Sequence, residues 1–166
     1  MKEEQLKVLK TMSEATSRMD INTFSKKVNL TPNQAVKQIQ ELAKEGFLQK
    51  IGGGYGMTEK GKTALKVFTL VPEEMSFHFY YGIDQPTDLT AKTLQEFYNI
   101  VKIVSANSLE FHLYGGDFEN WVKEACKEPE LAKEIGGTKT AALKGEELRA
   151  ELLRVLDAKY GIQELS

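Results

Sequence analysis

Residues 20–62 read DINTFSKKVNLTPNQAVKQIQELAKEGFLQKIGGGYGMTEKGK, and the punctuation inside this stretch decides the fold. Thr31 is a good helix N-cap, Pro32 suits the first helical position, where a missing N–H costs nothing, and Gln34 completes a capping box. Three local signals therefore agree on one helix start. Gly46 supplies the stop, as the residue just past a helix end that takes a left-handed backbone. Residues 47–51 then predict a strand, Gly52, Gly53 and Gly54 a tight reversal, and residues 55–58 the returning strand. Thr58 is placed to cap a further helix from Glu59 to about Phe68. Upstream, Asp20 or Asn22 can cap a short helix over residues 23–28, anchored by Phe24, Val28 and Leu30. Asn29 sits at the turn between the two helices, where asparagine tolerates a left-handed conformation. The order is helix, tight turn, longer helix, glycine-tipped hairpin.

Working outward, residues 3–17 predict a first helix, with Leu6, Leu9, Met12 and Ala15 at helical spacing. In the helix that begins after Thr31, spacing puts Val36, Ile39, Leu42 and Ala43 inward. Asn33, Gln34, Lys37, Gln38, Glu41 and Lys44 fall on the outward face. Leu65, Ala64 and Phe68 form the inner face of the closing helix.

This outward face has the chemistry of a DNA reader. The major groove of B-DNA admits one α-helix, whose first turns reach base edges. Asn and Gln side chains bind adenine in bidentate fashion, and Lys reaches guanine or phosphate. Asn33, Gln34, Lys37 and Gln38 are the candidate base readers, with Lys44 further along the same face. The helix N-terminus at Thr31 can receive a backbone phosphate. Lys26, Lys27, Lys50 and Lys60 are candidate phosphate contacts, and Tyr55 can touch sugar or phosphate from the hairpin.

Residues 3 to about 68 resemble the winged helix-turn-helix superfamily of prokaryotic transcriptional regulators. The core INTFSKKVNLTPNQAVKQIQELAKEGFLQK and the passage GGGYGMTEKGKTAL carry the resemblance. It implies a reading helix, a wing and a closing helix, and with them sequence-specific binding of double-stranded DNA. One departure stands out: wings in that superfamily commonly carry Arg or Lys at the tip, and here the tip is three glycines.

The chain has 166 residues, 41% hydrophobic and 28% charged, the balance of a globular protein with room for one large or two small domains. No apolar run approaches the ~20 residues needed to span a bilayer, and MKEEQLKVLK has no apolar core, so no signal peptide is expected. The single cysteine, Cys126, can form no internal disulfide, which points to a reducing, cytoplasmic setting. Net charge is −2, yet residues 1–68 carry 12 Lys and Arg against 7 Asp and Glu, while the remainder carries 10 against 17. That asymmetry fits one domain that meets phosphate and one that does not.

Proline and paired acids over residues 71–74 mark a domain boundary, giving a domain over 1–70 and a second over 71–166. In the second, residues 75–81 (MSFHFYY) predict a strand and residues 84–88 a loop. Thr90 is expected to cap a helix running to about Val104, and Asp117 to cap one that buries Phe118 and Trp121. Further helices are expected over 109–114, 129–135 and 143–160. His78 and His112, with Asp117, Glu119 and Cys126, lack metal-ligand spacing, so packing in an aromatic-rich core outweighs a metal-responsive switch. Tyr80, Tyr81, Tyr98 and Tyr114 are core candidates before they are pocket candidates. No nucleophile–base pair or phosphate loop is present, so no enzyme activity and no cofactor are expected.

This half resembles an uncharacterised, mainly archaeal helical domain through three fragments: AKTLQEF over 91–97, SLEFH over 108–112 and DFENW over 117–121. The resemblance implies an accessory or sensing module and carries no activity. The expectation is thus a mainly α protein, a winged helix-turn-helix plus a mostly helical domain. It would act as a homodimeric, DNA-binding regulator of transcription, with an unidentified small-molecule or protein effector. The alternative is a protein-interaction adaptor that docks partners on the winged helix.

Overall fold

The computed structural model describes residues 1–15 and 17–165, and these divide into two compact units, Met1–Phe68 and Thr69–Ser166. The chain is mainly helical, with two small antiparallel sheets.

In the first unit, α1 (Glu3–Glu14) is followed by α2 (Ile21–Lys27), α3 (Pro32–Lys44), the hairpin β1 (Leu48–Ile51) and β2 (Gly54–Met57), and α4 (Glu59–Phe68). The expected caps form. Thr23 N–H donates to Asp20 Oδ1 at 2.9 Å, and that bond holds the exposed Asp20 carboxyl below its ordinary range. At α3, Gln34 N–H donates to Thr31 Oγ1 at 3.2 Å and Thr31 N–H to Gln34 Oε1 at 3.0 Å. Asn29 takes φ +56 and Gly46 φ +89, the left-handed positions that end α2 and α3. Of the three tip glycines only Gly52 has a positive φ, +60. Gly53 and Gly54 have another reason to be glycine, described below.

The segment from the end of α3 to the start of α4 closes on itself. Thr58 Oγ1 donates to Gly46 O at 2.6 Å and accepts from Gly61 N–H at 3.1 Å, while Thr58 N–H donates to Phe47 O. Gly61 lies so near Phe47 that an added Cβ would fall 2.3 Å from its carbonyl oxygen. Lys60 Nζ donates to Glu45 O at 2.8 Å and sits over the Phe47 ring. One polar clasp therefore joins two helices and the hairpin between them.

The inner stripe of α3 differs from expectation. Ala35, Gln38 and Leu42 are buried, whereas Val36 is exposed. α3 packs against α1, and the small Ala35, with no exposed surface, occupies the close-approach position that Val36 was expected to hold.

In the second unit, a 3₁₀ turn (Glu73–Met75) leads into β3 (Phe77–Gly82) and β4 (Gln85–Ala91). There follow α5 (Leu94–Ile103), α6 (Ala106–Tyr114), α7 (Asp117–Glu124), α8 (Pro129–Gly137), a second 3₁₀ turn (Thr138–Ala141), α9 (Gly145–Tyr160) and α10 (Ile162–Leu165). The expected loop over 84–88 is instead mostly strand. β4 pairs antiparallel with β3 in the order Phe77↔Ala91, His78↔Thr90, Tyr80↔Pro86 and Gly82↔Gln85. Extra residues on β4 bulge between the second and third pairs, where Thr87 Oγ1 donates to Phe79 O at 2.7 Å. Pro86, which has no N–H, is tolerated in such an irregular two-stranded ribbon. The helix expected from Thr90 starts later, with Thr93 Oγ1 accepting from Glu96 N–H at 3.0 Å.

The core of this unit is aromatic. Phe77, Phe79, Phe97, His112, Phe118 and Trp121 form one connected cluster around Phe77, with contacting ring centroids 4.7–6.1 Å apart. Trp121 Nε1–H donates to Met75 O at 2.6 Å, tying α7 to the entry of β3. Among the described residues no helix is long and apolar enough to cross a membrane.

Candidate nucleic-acid interface

A helix that reads a groove needs side chains that are exposed and unengaged. Asn33, Lys37 and Lys44 meet this condition on the outer face of α3: all are exposed, and none enters a hydrogen bond or ion pair among the described residues. Gln40 joins them. With Ala35 and Leu42 facing inward, the opposite side of the 3.6-residue wheel holds Asn33, Lys37, Gln40 and Lys44. Sequence inspection missed Gln40 because it placed Val36 and Ala43 in the inner stripe.

Two of the expected base readers are otherwise occupied. Gln38 is buried, and its Nε2 donates to Glu4 Oε2 of α1 at 3.1 Å. Its place is the α1–α3 contact, not the outer face, and its Oε1 has no partner among the described residues. Gln34 remains exposed, but its Oε1 accepts from Thr31 N–H, so bidentate contact with a base would cost the cap. Thr31 is likewise engaged, through Oγ1.

The expected phosphate contacts divide in the same way. Lys26 and Lys27 are exposed in the last turn of α2, and Lys50 is exposed on β1 opposite Tyr55. Lys60 is spent on the C-terminus of α3, where a cation favours the orphan carbonyls. Tyr55 is half-buried on β2.

A cation that sequence inspection did not single out lies at the hairpin. Arg18, in the α1–α2 connection, places its guanidinium beside the turn. A Cβ on Gly53 or Gly54 would come within 2.9 or 3.0 Å of Arg18 Nη2. The two glycines leave room for this group. The available signal was composition: Arg18 is the sole arginine of residues 1–68.

In the second unit the candidate residues form structure. His112 is buried, its Nε2 accepts from Tyr80 N–H at 2.7 Å, and its Nδ1–H donates to Asp117 Oδ2 at 2.8 Å. Both ring nitrogens are used, and the pattern fixes the neutral Nδ1–H form. Burial pushes the His112 pKa down, against an opposing pull from Asp117. Asp117 was expected as an N-cap; Gly116 holds that position at φ +80, and Asp117 serves His112 instead. His78 was expected in the core with His112. It is exposed on β3, with Nδ1 3.1 Å from Thr90 Oγ1.

Among the described residues no group of three or more His, Cys, Asp or Glu side chains is arranged to hold a metal ion. Burial pushes the Cys126 thiol up to about 12. Of the four tyrosines, Tyr98 is buried beneath Lys102, and Tyr114 donates its hydroxyl to Leu143 O at 2.6 Å. Tyr80 is half-buried and Tyr81 exposed.

Comparison with curated proteins and with solved structures gave no match. A family model does match residues 59–157, from the first residue of α4 through most of α9. That span exceeds half of the chain, and the protein therefore belongs to the family of unknown function DUF5752.

Proposed function

We propose that residues 1–68 form a winged helix-turn-helix that binds double-stranded DNA, and that the protein regulates transcription as a homodimer. In this reading α2 and α3 are the helix-turn-helix, the β1–β2 hairpin is the wing, and α3 enters the major groove. The observation that carries it is the outer face of α3, where Asn33, Lys37, Gln40 and Lys44 stand exposed and unengaged on the basic half of the chain. Asn33 and Gln40 supply amide donor–acceptor pairs for adenine, and Lys37 reaches guanine or phosphate. Lys26, Lys27 and Lys50 hold the backbone. Arg18 brings to the wing the charge that its glycine tip lacks. One such head binds weakly, and a two-fold pair reading two half-sites gives useful affinity. The acidic second unit then sets dimer geometry or receives a signal.

The test is an anisotropy titration of the full chain against labelled duplexes drawn from its own genome, at several salt concentrations. Asn33→Ala is expected to weaken binding to a preferred duplex by ~1–3 kcal/mol. Lys37→Ala lowers affinity and, if it meets phosphate, reduces the salt slope by about one. Uniform weak binding on all duplexes, unchanged by both substitutions, refutes the proposal.

A second reading is favoured by Val36 of α3 and Ile51 of β1, both of them exposed apolar side chains. It takes the same unit as a protein-docking adaptor. Affinity capture with nuclease treatment separates the two, since an adaptor's partners survive loss of nucleic acid.

A further inference from the structure

A cavity of about 700 Å³ opens in the first unit between α1, α2, α3 and the hairpin. Phe24 and Ile39 lie at its base, Val36 and Ile51 at its mouth, and Arg18 and Tyr55 beside the glycine turn. Val36 and Ile51 are 39% and 58% exposed, and apart from Met1 they are the exposed large apolar side chains described in this unit. Both line the same concavity. Exposed apolar groups that converge on one hollow mark a binding site, and the volume falls in the range of small-molecule pockets rather than of flat protein interfaces.

Electrostatics narrows the occupant. Among the described residues that line the hollow, Arg18 is the only charged one. It enters no ion pair among the described residues. A single unpaired guanidinium at the rim of an apolar hollow complements a molecule with an apolar body and one anionic end. A planar carboxylate fits that fork with two parallel hydrogen bonds.

We propose that this hollow binds a small amphipathic carboxylate, its hydrocarbon body between α3 and the hairpin and its head on Arg18. Because the bound molecule touches both elements that meet DNA in the proposed function, its occupancy also shifts DNA affinity. That second step rests on the DNA-binding reading; the site itself does not.

The probes are decanoate, below its micellar concentration, and decylamine, which has the same chain and the opposite charge. Calorimetric titration of the full chain is expected to show one decanoate bound per chain and no comparable binding of decylamine. Arg18→Gln should weaken decanoate by at least about tenfold, and Val36→Trp, which fills the mouth, should abolish binding. Both positions are exposed, so both variants keep the fold, which melting by circular dichroism verifies. Absence of saturable decanoate binding, equal binding of decylamine, or affinity unchanged by both variants overturns the proposal. If decanoate binds as stated but leaves duplex affinity unaltered, or if no duplex binds at all, the site stands and the regulatory link falls.

Discussion

His112 offers the sharpest test of how the second unit is held together. His112→Phe keeps an aromatic ring against Phe77, Phe79 and Phe118, so packing changes little. It removes both hydrogen bonds. Tyr80 N–H, in a half-buried strand, loses its 2.7 Å acceptor, at a cost of ~1–3 kcal/mol for an unpaired donor. Asp117 is 46% exposed at the side chain, so water replaces its lost partner and that half of the exchange costs less. The expected loss is about 2–3 kcal/mol at neutral pH.

The same geometry dictates a pH dependence. Protonation would put a second N–H on the ring, facing the Tyr80 N–H, so the folded state resists it and burial lowers the His112 pKa. The unfolded chain takes up that proton near the ordinary value of about 6.5. Stability from this group is therefore fully present above about pH 6.5 and is lost as pH falls toward the depressed folded value. One proton gives a slope of at most about 1.4 kcal/mol per pH unit. Trp121 is the only tryptophan and packs in the same core, so urea unfolding followed by its fluorescence reports on this unit. Unfolding free energies at pH 7.5, 6.0 and 5.0 for both proteins isolate the His112–Asp117 pair, since groups that do not touch the ring contribute equally to both and cancel in the difference. The gap between wild type and His112→Phe should narrow on acidification. A gap below ~0.5 kcal/mol at pH 7.5, or one that stays constant to pH 5.0, refutes the assigned hydrogen bonds.

Four further outcomes are expected. Gly61→Ala brings a methyl against the Phe47 carbonyl and should destabilise the first unit by ~1–3 kcal/mol. Gly137→Ala, with nothing within 4 Å of the added carbon and no positive φ, should instead stabilise by ~0.4–1 kcal/mol; thermal melts of both variants decide, and a Gly61→Ala variant as stable as wild type would contradict the clasp. Gln38→Met removes a buried amide oxygen that has no partner among the described residues, and also the Nε2–H bond to the exposed Glu4, which water can replace, so the two effects offset and stability should change by less than ~1 kcal/mol while duplex affinity stays unchanged; a loss of DNA binding would return Gln38 to the interface. Cys126, with its thiol pushed up to about 12, should react with a disulfide reagent at pH 8 about 10²- to 10³-fold more slowly in the folded than in the unfolded chain, measured by absorbance of the released thiolate.

What could be read from the sequence was what is decided within a few residues. The capping box at Thr31 and Gln34, the left-handed Asn29 and Gly46, and the Thr58 cap depend on neighbours three or four positions away, and each forms. What depends on a partner element was less legible. The rotation of α3 is set by its contact with α1, where alanine packs closer than valine, so Gln38 turned inward and Gln40 outward. β4 was hidden because Pro86 and Asp88 have the composition of a loop, and the strand tolerates them by bulging, while Asp84 forms the turn before it at φ +56. The pairing of His112 with Asp117 crosses a Gly-Gly break and exists only once α6 and α7 have folded back on β3. Arg18 lies far in sequence from the turn it covers, so no local spacing reveals it.

The residues that carry the resemblance in the second half hold its fold together. Ala91, Leu94 and Phe97 are buried, and Glu96 accepts from Lys92 N–H at 2.6 Å ahead of α5. Ser108 and Leu109 are buried at the start of α6, His112 links β3 to Asp117, Phe118 fills the core, and Trp121 ties α7 to Met75. Most positions in the three fragments serve caps, core or the histidine bridge. Such a pattern specifies a fold, and a fold by itself does not assign a function. The two functional proposals accordingly draw on side chains outside those fragments: the open face of α3, and the hollow beside it where Arg18 stands.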